Sequence, residues 1–403
     1  MKSIFTQKLA GKTVLLRVDL NSSIVEGRVV VSSRLREHAK TVYSLCEEGA
    51  KVVVLSHQGR KGDADFIPLK RHSDFIKKFT GRKVKFVTWN EDFGRIIEEM
   101  KNGEVVVMDN TRFIDFETDE KKTPEEFASA SPIKELIEVS DFFVQDALSI
   151  SHRNQATVVG PPAKLKSFVG PVLEKELEAL KKLGSKKQAK LLILGGAKPS
   201  DSIEILESML ANKYADEVCL GGLFGEIFLS ANGVKLGKKD AFLKEKGFDR
   251  LVPKAKEIIA KYGNKITLPV DVGVKPNDVG AKPNGHRKEL KVAQLPTDMD
   301  IMDIGVETTE LFKKKVRKAE VVVFNGPMGV YENKSFSIGT KKILETIAFS
   351  RCYSIVGGGD TERALLGIGL LPQDFKHVSL AGKALLEYLA GEELPGLKIL
   401  EKN

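Results

Sequence analysis

The sequence predicts an α/β protein made of two doubly wound parallel-sheet, Rossmann-like domains joined by a hinge helix. Three observations predict it. Short runs of Val, Ile and Leu recur between stretches with helical periodicity, as expected of βαβ units. The runs are continuous rather than alternating, the pattern of strands buried on both faces of a parallel sheet. They also form two series, separated by a Gly/Pro-rich passage and a charged helix. A chain of 403 residues has room for two or three domains of about 150 residues each.

The first series reads Thr13–Val18, Lys51–Ser56, Glu104–Asp109 and Asp141–Asp146. Helices are expected between these runs, over Arg34–Glu48, Pro68–Lys78 and Pro124–Glu138. The passage VVGPPAKLKSFVGP and the charged stretch VLEKELEALKKLG then place a domain boundary near residues 170–185. The second series reads Lys190–Gly195, Glu217–Gly222, Lys265–Val270, Glu320–Asn325 and Tyr353–Gly358, with a helix over Ser202–Tyr214.

Hydrophobic residues make up 42% of the chain, enough for two cores, which excludes a wholly disordered protein. The excess of 64 Lys+Arg over 55 Asp+Glu calls for an anionic partner: nucleic acid, a membrane surface or a phosphorylated metabolite. Cys46, Cys219 and Cys352 lie far apart and form no CxxC, so neither a disulfide framework nor a zinc site is expected. The N-terminal stretch lacks the apolar segment of a signal peptide. The apolar run from Val218 to Ala231 is broken by Glu226 and falls short of the roughly 20 residues a membrane span needs. The expected location is cytoplasmic. Basic runs at 181–190 and 311–320 carry no interleaved aromatics, which favours solvated helix faces over a nucleic-acid surface.

In an open parallel sheet, ligands bind beyond the carboxyl ends of the strands. In the first series those ends are polar and basic. Arg17, Asp19 and Asn21 follow the first run, His57 and Arg60 the second, Arg112 the third, and His152 and Arg153 the fourth, while Arg34 opens the first helix. Arginine offers planar paired donors that match phosphate and carboxylate, so convergence on an anion is the reading. Neither histidine sits in a metal-ligand spacing.

In the second series the strand ends are glycines: ILGGAK (193–198), LGGLFG (220–225), FNGPMG (324–329) and VGGGDT (356–361). Glycine allows close backbone approach, and a helix N-terminus presents free N–H groups to phosphate. With Lys198 and Asp360 these ends form a nucleotide-phosphate site with a cation and a magnesium ligand. The chain has no GxxxxGK[ST] and no GxGxxG, so neither a P-loop nor a dinucleotide site is indicated. Together the two halves read as a phosphoryl transferase whose domains must close, because transfer needs in-line approach and exclusion of water. No catalytic-base motif is present, which fits an acceptor that is already ionised, such as a carboxylate.

The motifs LLRVDLN (15–21), SSRLR (32–36), SHQGR (56–60), DNTRF (109–113), SHR (151–153), EKEL (174–177), ILGGAKPSD (193–201), LPVDV (268–272), MDIGVET (302–308), NGPMGVYE (325–332), VGGGDT (356–361) and LPGL (394–397) resemble, in order and spacing, those of phosphoglycerate kinases, most of all the archaeal branch. The resemblance implies reversible Mg2+-dependent transfer between ATP and the carboxylate of 3-phosphoglycerate, giving 1,3-bisphosphoglycerate and ADP. It implies a 3-phosphoglycerate-binding domain over 1–170, an interdomain helix over 171–185, a nucleotide-binding domain over 186–375, and a segment over 376–403 that returns to the first domain. Asp19, Leu20, Asn21, His57, Gln58, Gly59, Arg60, Arg112 and Arg153 fall on substrate-binding positions. Arg34 falls on the arginine that reaches the reacting carboxylate, and Lys198 on a lysine that follows the moving charge. Gly195, Gly196, Gly221 and Gly222 match adenine-pocket glycines. Asn325 matches a phosphate-side residue, and Glu332 the ribose-binding acid. Gly357, Gly358, Gly359, Asp360 and Thr361 match the phosphate and metal loop, with Asp360 on the metal. The implied partners are small molecules rather than nucleic acid or membrane, and a monomer is expected, with a dimer as the alternative.

Three positions depart from the family pattern. Ser202 stands where many members have a second lysine, Gln155 where HRxH has its second histidine, and Ala381-Gly382-Lys383 where three glycines are usual. If the turn at Lys383 faces the reacting groups, its ammonium replaces the charge missing at Ser202; the plainer alternative is an exposed lysine on a surface helix. Two other readings of function stay open here. A non-catalytic homologue is opposed by Arg34, Lys198 and Asp360. A nucleic-acid-binding protein would need a contiguous basic face and salt-sensitive retention on DNA.

Overall fold

The computed structural model describes residues 1–184, 189–277 and 287–402. They form two units. One comprises Met1–Glu178 together with the described residues from Glu393 onward, and the other Ala179–Glu392.

The first unit starts with β1 (Thr13–Arg17), α1 (Ser33–Glu47), β2 (Lys51–Leu55) and α2 (Lys70–Thr80), and continues with β3 (Val84–Val87), β4 (Val105–Met108), β5 (Phe142–Gln145) and β6 (Lys166–Val169). The six strands form one parallel sheet in the order β3-β4-β2-β1-β5-β6. All five residues of β1 are buried, as its unbroken apolar run requires. Helix α1 is capped by Ser32, whose hydroxyl accepts from the Leu35 N–H at 3.3 Å. The helix lays Leu35, Ala39, Val42, Leu45 and Cys46 on the sheet. These side chains share one core with Val14, Leu16, Val52, Val54, Val105 and Val107. All six strands run parallel and the chain passes to opposite sides of β1, to β2 and to β5, so the carboxyl ends of β1, β2, β4 and β5 are gathered at one edge.

Two local expectations change. The helix expected over Pro124–Glu138 is two short helices, Pro124–Ser129 and Ile133–Glu138, because Pro132 has no N–H to carry the ladder through. Strands β3 and β6 were not expected. Both lie at sheet edges, and β3 mixes exposed and buried positions in place of a solid apolar run.

Helix α3 (Pro171–Lys181) contains the division between the units. The second unit then runs through β7 (Lys190–Leu194), α4 (Ile203–Ala211), β8 (Glu217–Leu220), α5 (Gly222–Ala231), α6 (Lys238–Glu245), β9 (Ile266–Thr267), β10 (Asp271–Lys275), β11 (Lys288–Lys291), β12 (Asp300–Ile304), α7 (Val306–Lys318), β13 (Val321–Asn325), α8 (Ile338–Ala348), β14 (Tyr353–Gly357), α9 (Gly359–Ile368), β15 (His377–Ser379) and α10 (Lys383–Leu389). Its main sheet is parallel, in the order β9-β8-β7-β13-β14-β15. The strand expected over Lys265–Val270 pairs only at Ile266–Thr267. Pro269 has no N–H to donate, and the chain leaves for a separate antiparallel sheet, β11-β10-β12.

The last helix, α11 (Pro395–Glu401), belongs to the first unit, where the Gly396 N–H donates to Ser151 O at 2.8 Å. The return thus begins at Glu393. The sequence reading starts it at 376, but β15 is hydrogen-bonded to β14, and it and α10 stay in the second unit. Residues 311–318 of the basic run 311–320 lie on α7, where Lys313 pairs with Glu310 at 2.5 Å and Lys315 with Glu217 at 2.7 Å. Of the run 181–190, residues 185–188 lie outside the described residues. Among the described residues, no helix is long and apolar enough to cross a membrane.

Candidate functional site

The carboxyl edge of the first sheet is held by a hydrogen-bonded frame. Asn110 Oδ1 accepts from the N–H groups of Gln58 (3.1 Å) and Arg112 (3.1 Å), and its amide donates to Gln58 O (2.7 Å) and Ile67 O (3.0 Å). Gln58 exchanges hydrogen bonds with the Ser22 backbone at 2.8 and 3.0 Å. Asn21 Oδ1 accepts from the Gly59 N–H at 3.0 Å, and Arg112 donates to Gly59 O. Gly59 has φ +65°, and a Cβ there would lie 2.4 Å from the Asp65 backbone, so no other residue fits. Leu20 is fully buried in the core, and its N–H donates to Ser56 Oγ at 2.8 Å. Of the sequence-predicted residues, Leu20 and Gln58 are thus part of this frame.

The groups facing outward from the frame are cationic. Burial lowers the Arg112 pKa, and the neighbouring charges of Arg153 and Arg60 lower it further. Arg60 and Arg153, from the ends of two other strands, are therefore close enough to repel Arg112, a repulsion that an anion relieves, while Glu120 lies 3.8 Å from Arg153. Asp19, 2% exposed, accepts from Ser149 Oγ at 2.5 Å and pairs with Arg34 at 3.0 Å. Burial opposes its ionisation, but Arg34, His57 and the Ser149 hydroxyl hold the carboxyl well below the usual range. His57 is buried, and its Nδ1 has no partner among the described residues. Burial, with the like charges of Arg17, Arg112 and Arg34, pushes its pKa well below 6.5 against the pull of Asp19. It is thus neutral at pH 7 and able to exchange a hydrogen bond with a ligand.

Arg17 does not join this face. It is wholly buried, donating from Nε to Thr157 Oγ1 at 2.9 Å and from a terminal nitrogen to Val18 O at 2.6 Å, with Glu117 at 3.9 Å. It braces the end of β1 from inside.

In the second unit, the glycine strand ends pack against one another. Gly326 has φ +86°, and a Cβ on it would lie 2.4 Å from Gly195 O; a Cβ on Gly195 would lie 2.3 Å from Pro327 O. A cavity of about 210 Å³ opens beside them. Gly196, Gly222, Glu332 and Asp360 line it, with Tyr331, Glu226 and Lys239. Gly195 and Gly221 stand behind it, against Pro327 and Met328. Thr361 Oγ1 accepts from the Gly326 N–H at 2.9 Å, and Asn325 lies beside Gly358, which precedes the first turn of α9. Gly357 ends β14, where a Cβ would meet Leu385 at 2.7 Å, and Gly359 opens α9 with nothing within 4 Å of a Cβ. Lys198 is exposed, next to the cavity residue Ala197.

Asp360 accepts from Arg363, whose Nε donates to the Tyr331 hydroxyl at 3.3 Å. Lys383 is bound to Glu387 one turn along α10, at 2.9 Å, with 43% of its side chain exposed. Its charge is already countered, which favours the plainer reading of that lysine. Sequence reasoning missed Glu226 and Lys239 as cavity residues; the one signal was a glutamate interrupting an apolar run.

The model of the family described as phosphoglycerate kinase matches residues 4–392. The chain is 36% identical over 404 residues to the phosphoglycerate kinase of Methanothermobacter thermautotrophicus, covering 98% of this chain and 95% of that one. It is 38% identical over 401 residues to that of Methanosarcina mazei, covering 98% and 93%. The crystal structure of phosphoglycerate kinase from Pyrococcus horikoshii OT3 superposes with a TM-score of 0.91 at 34% identity, covering 100% and 98% of the two chains. That from Coxiella burnetii gives 0.79 at 30% identity, covering 99% and 98%.

Proposed function

The chain belongs to the phosphoglycerate kinase family and is a kinase of that activity, and from this premise we propose how its residues divide the work. The arginine face of the first unit binds 3-phosphoglycerate. Arg60, Arg112 and Arg153 hold its phosphate, while His57, Asp19 and Asn21 orient the rest. The observation that carries this assignment is that Arg60 and Arg153 lie close enough to Arg112 to disfavour its charge, a clustering that a bound phosphate relieves.

The cavity of the second unit binds ATP or ADP. Glu332 lies on the wall where a ribose hydroxyl would donate, and the first turn of α9 with Gly358 and Gly359 receives phosphate oxygens. A magnesium ion carried on nucleotide phosphates takes only one or two protein carboxylates. Asp360, in the first turn of α9 and on the cavity wall, fits that demand. When bound, the ion neutralises charge on the phosphates.

The acceptor carboxylate is ionised at neutral pH, so attack on the γ-phosphorus needs no base. One O–P bond forms as the bond to the β-phosphate oxygen breaks. The protein's contribution is position and positive charge, from Arg34 on the acceptor side and Lys198 on the nucleotide side. The test is a coupled assay with 3-phosphoglycerate and MgATP. Turnover abolished by chelation of magnesium supports this reading; absence of turnover in the folded protein overturns it.

A further inference from the structure

Phosphoryl transfer leaves one charged pair in the nucleotide cavity without a role. Glu226 sits in the second turn of α5, in the otherwise apolar run GLFGEIFLSA, and is 8% exposed. Its Oε1 pairs with Lys239 of α6 at 3.2 Å, while Oε2 is buried with no hydrogen-bond partner among the described residues. Burial raises the pKa of this carboxyl, against the pull of Lys239. A buried carboxylate oxygen without a partner is costly, and such groups are normally satisfied.

The position of the pair in the fold identifies the part of a nucleotide it meets. Glu226 follows β8, and Asp360 follows β14. In sheet order these strands flank β7 and β13 from opposite sides, so the two carboxylates come to the cavity from opposite directions. Leu229, one turn along α5 from Glu226, lines the same cavity with Val272, Ile301 and Ile304, an apolar lining suited to a flat ring rather than to phosphate.

We infer that Glu226 reads the nucleobase, accepting at its unpartnered oxygen a hydrogen bond from the exocyclic amino group of an aminopurine while Lys239 holds the other oxygen. The inference rests on the second unit being the nucleotide site. It makes the 6-amino group of adenine a specificity handle, because a purine lacking that group leaves the carboxylate oxygen unsatisfied.

The test compares ADP with purine riboside 5′-diphosphate, which differs only in lacking the 6-amino group, by titration calorimetry. The native protein should bind ADP at least about ten-fold more tightly. Glu226→Leu should bring the two affinities to within about two-fold, and Glu226→Gln, which keeps an acceptor without the charge, should fall between. Equal binding of the two ligands by the native protein, or a preference that survives in both variants, would overturn the inference and leave the pair as a tether between α5 and α6. Failure of the native protein to bind either ligand would instead overturn the nucleotide site and this inference with it.

Discussion

Replacing Arg34 by alanine separates binding from catalysis on the acceptor side. In the structure its guanidinium lies 3.0 Å from Asp19, with 21% of the Arg34 side chain and 3% of the Asp19 side chain exposed. Breaking a buried ion pair typically costs about 3–5 kcal/mol. Arg34 is partly solvated, and Asp19 keeps the Ser149 hydroxyl and the Asn21 N–H, so about 2 kcal/mol is the expected loss. Asp19 owes its low pKa chiefly to Arg34. A carboxyl held low stabilises the fold above its unfolded pKa and loses that contribution as pH falls, so Arg34→Ala should unfold in acid at higher pH. If Arg34 also meets charge that develops during transfer, kcat should fall about 10³-fold, equivalent to about 4 kcal/mol, with a smaller change in KM. Arg34→Lys restores the charge but not the planar fork, so it should recover most of the stability and little of kcat. Steady-state kinetics at saturating MgATP and a melting curve on each variant check this. A raised KM with unchanged kcat would refute the transition-state role, and kcat that recovers in step with stability would reduce Arg34 to a brace for Asp19.

Other outcomes follow from single contacts. His72 is fully buried with neither ring nitrogen partnered among the described residues, and burial lowers its pKa to about 4; the unfolded chain takes up that proton first, so stability should drop by about 3 kcal/mol between pH 6.5 and 4. The urea midpoint of the native protein should fall relative to that of His72→Phe between pH 6.5 and 4.5, and parallel profiles would contradict this. Gly326→Ala forces a Cβ to 2.4 Å from Gly195 O at φ +86°; it should cost about 2 kcal/mol or more and weaken ADP binding in calorimetry, whereas unchanged affinity would detach this loop from the site. Lys383→Ala should leave kcat within about two-fold, because the ammonium is bound to Glu387; a ten-fold fall would return Lys383 to the role of the missing lysine.

Solid apolar runs made β1, β2, β4 and β5 legible, because strands covered on both faces need no alternation. The edge strands β3 and β11 escaped, since their mostly exposed or half-buried positions carry no such signal. The arginines after successive strands were legible as a group, because topology alone brings strand ends together. The inward course of Arg17 was not: its side-chain partners Thr157 and Glu117 lie a hundred residues or more away along the chain. Glu226 and Lys239 meet through the packing of α5 and α6, which no local pattern encodes. The glycine pairs, expected from their place at strand ends to cradle phosphate, divide into two roles. In the structure, Gly196 and Gly222 line the cavity, while Gly195 and Gly221 let neighbouring loops approach.

If the first unit binds the acceptor and the second the nucleotide, as proposed, binary titrations on paired variants test that division most directly. Arg112→Ala should weaken 3-phosphoglycerate binding at least about ten-fold and leave MgADP affinity unchanged, and Asp360→Asn should do the reverse. Loss of both affinities in either correctly folded variant, or of the wrong one, would contradict it.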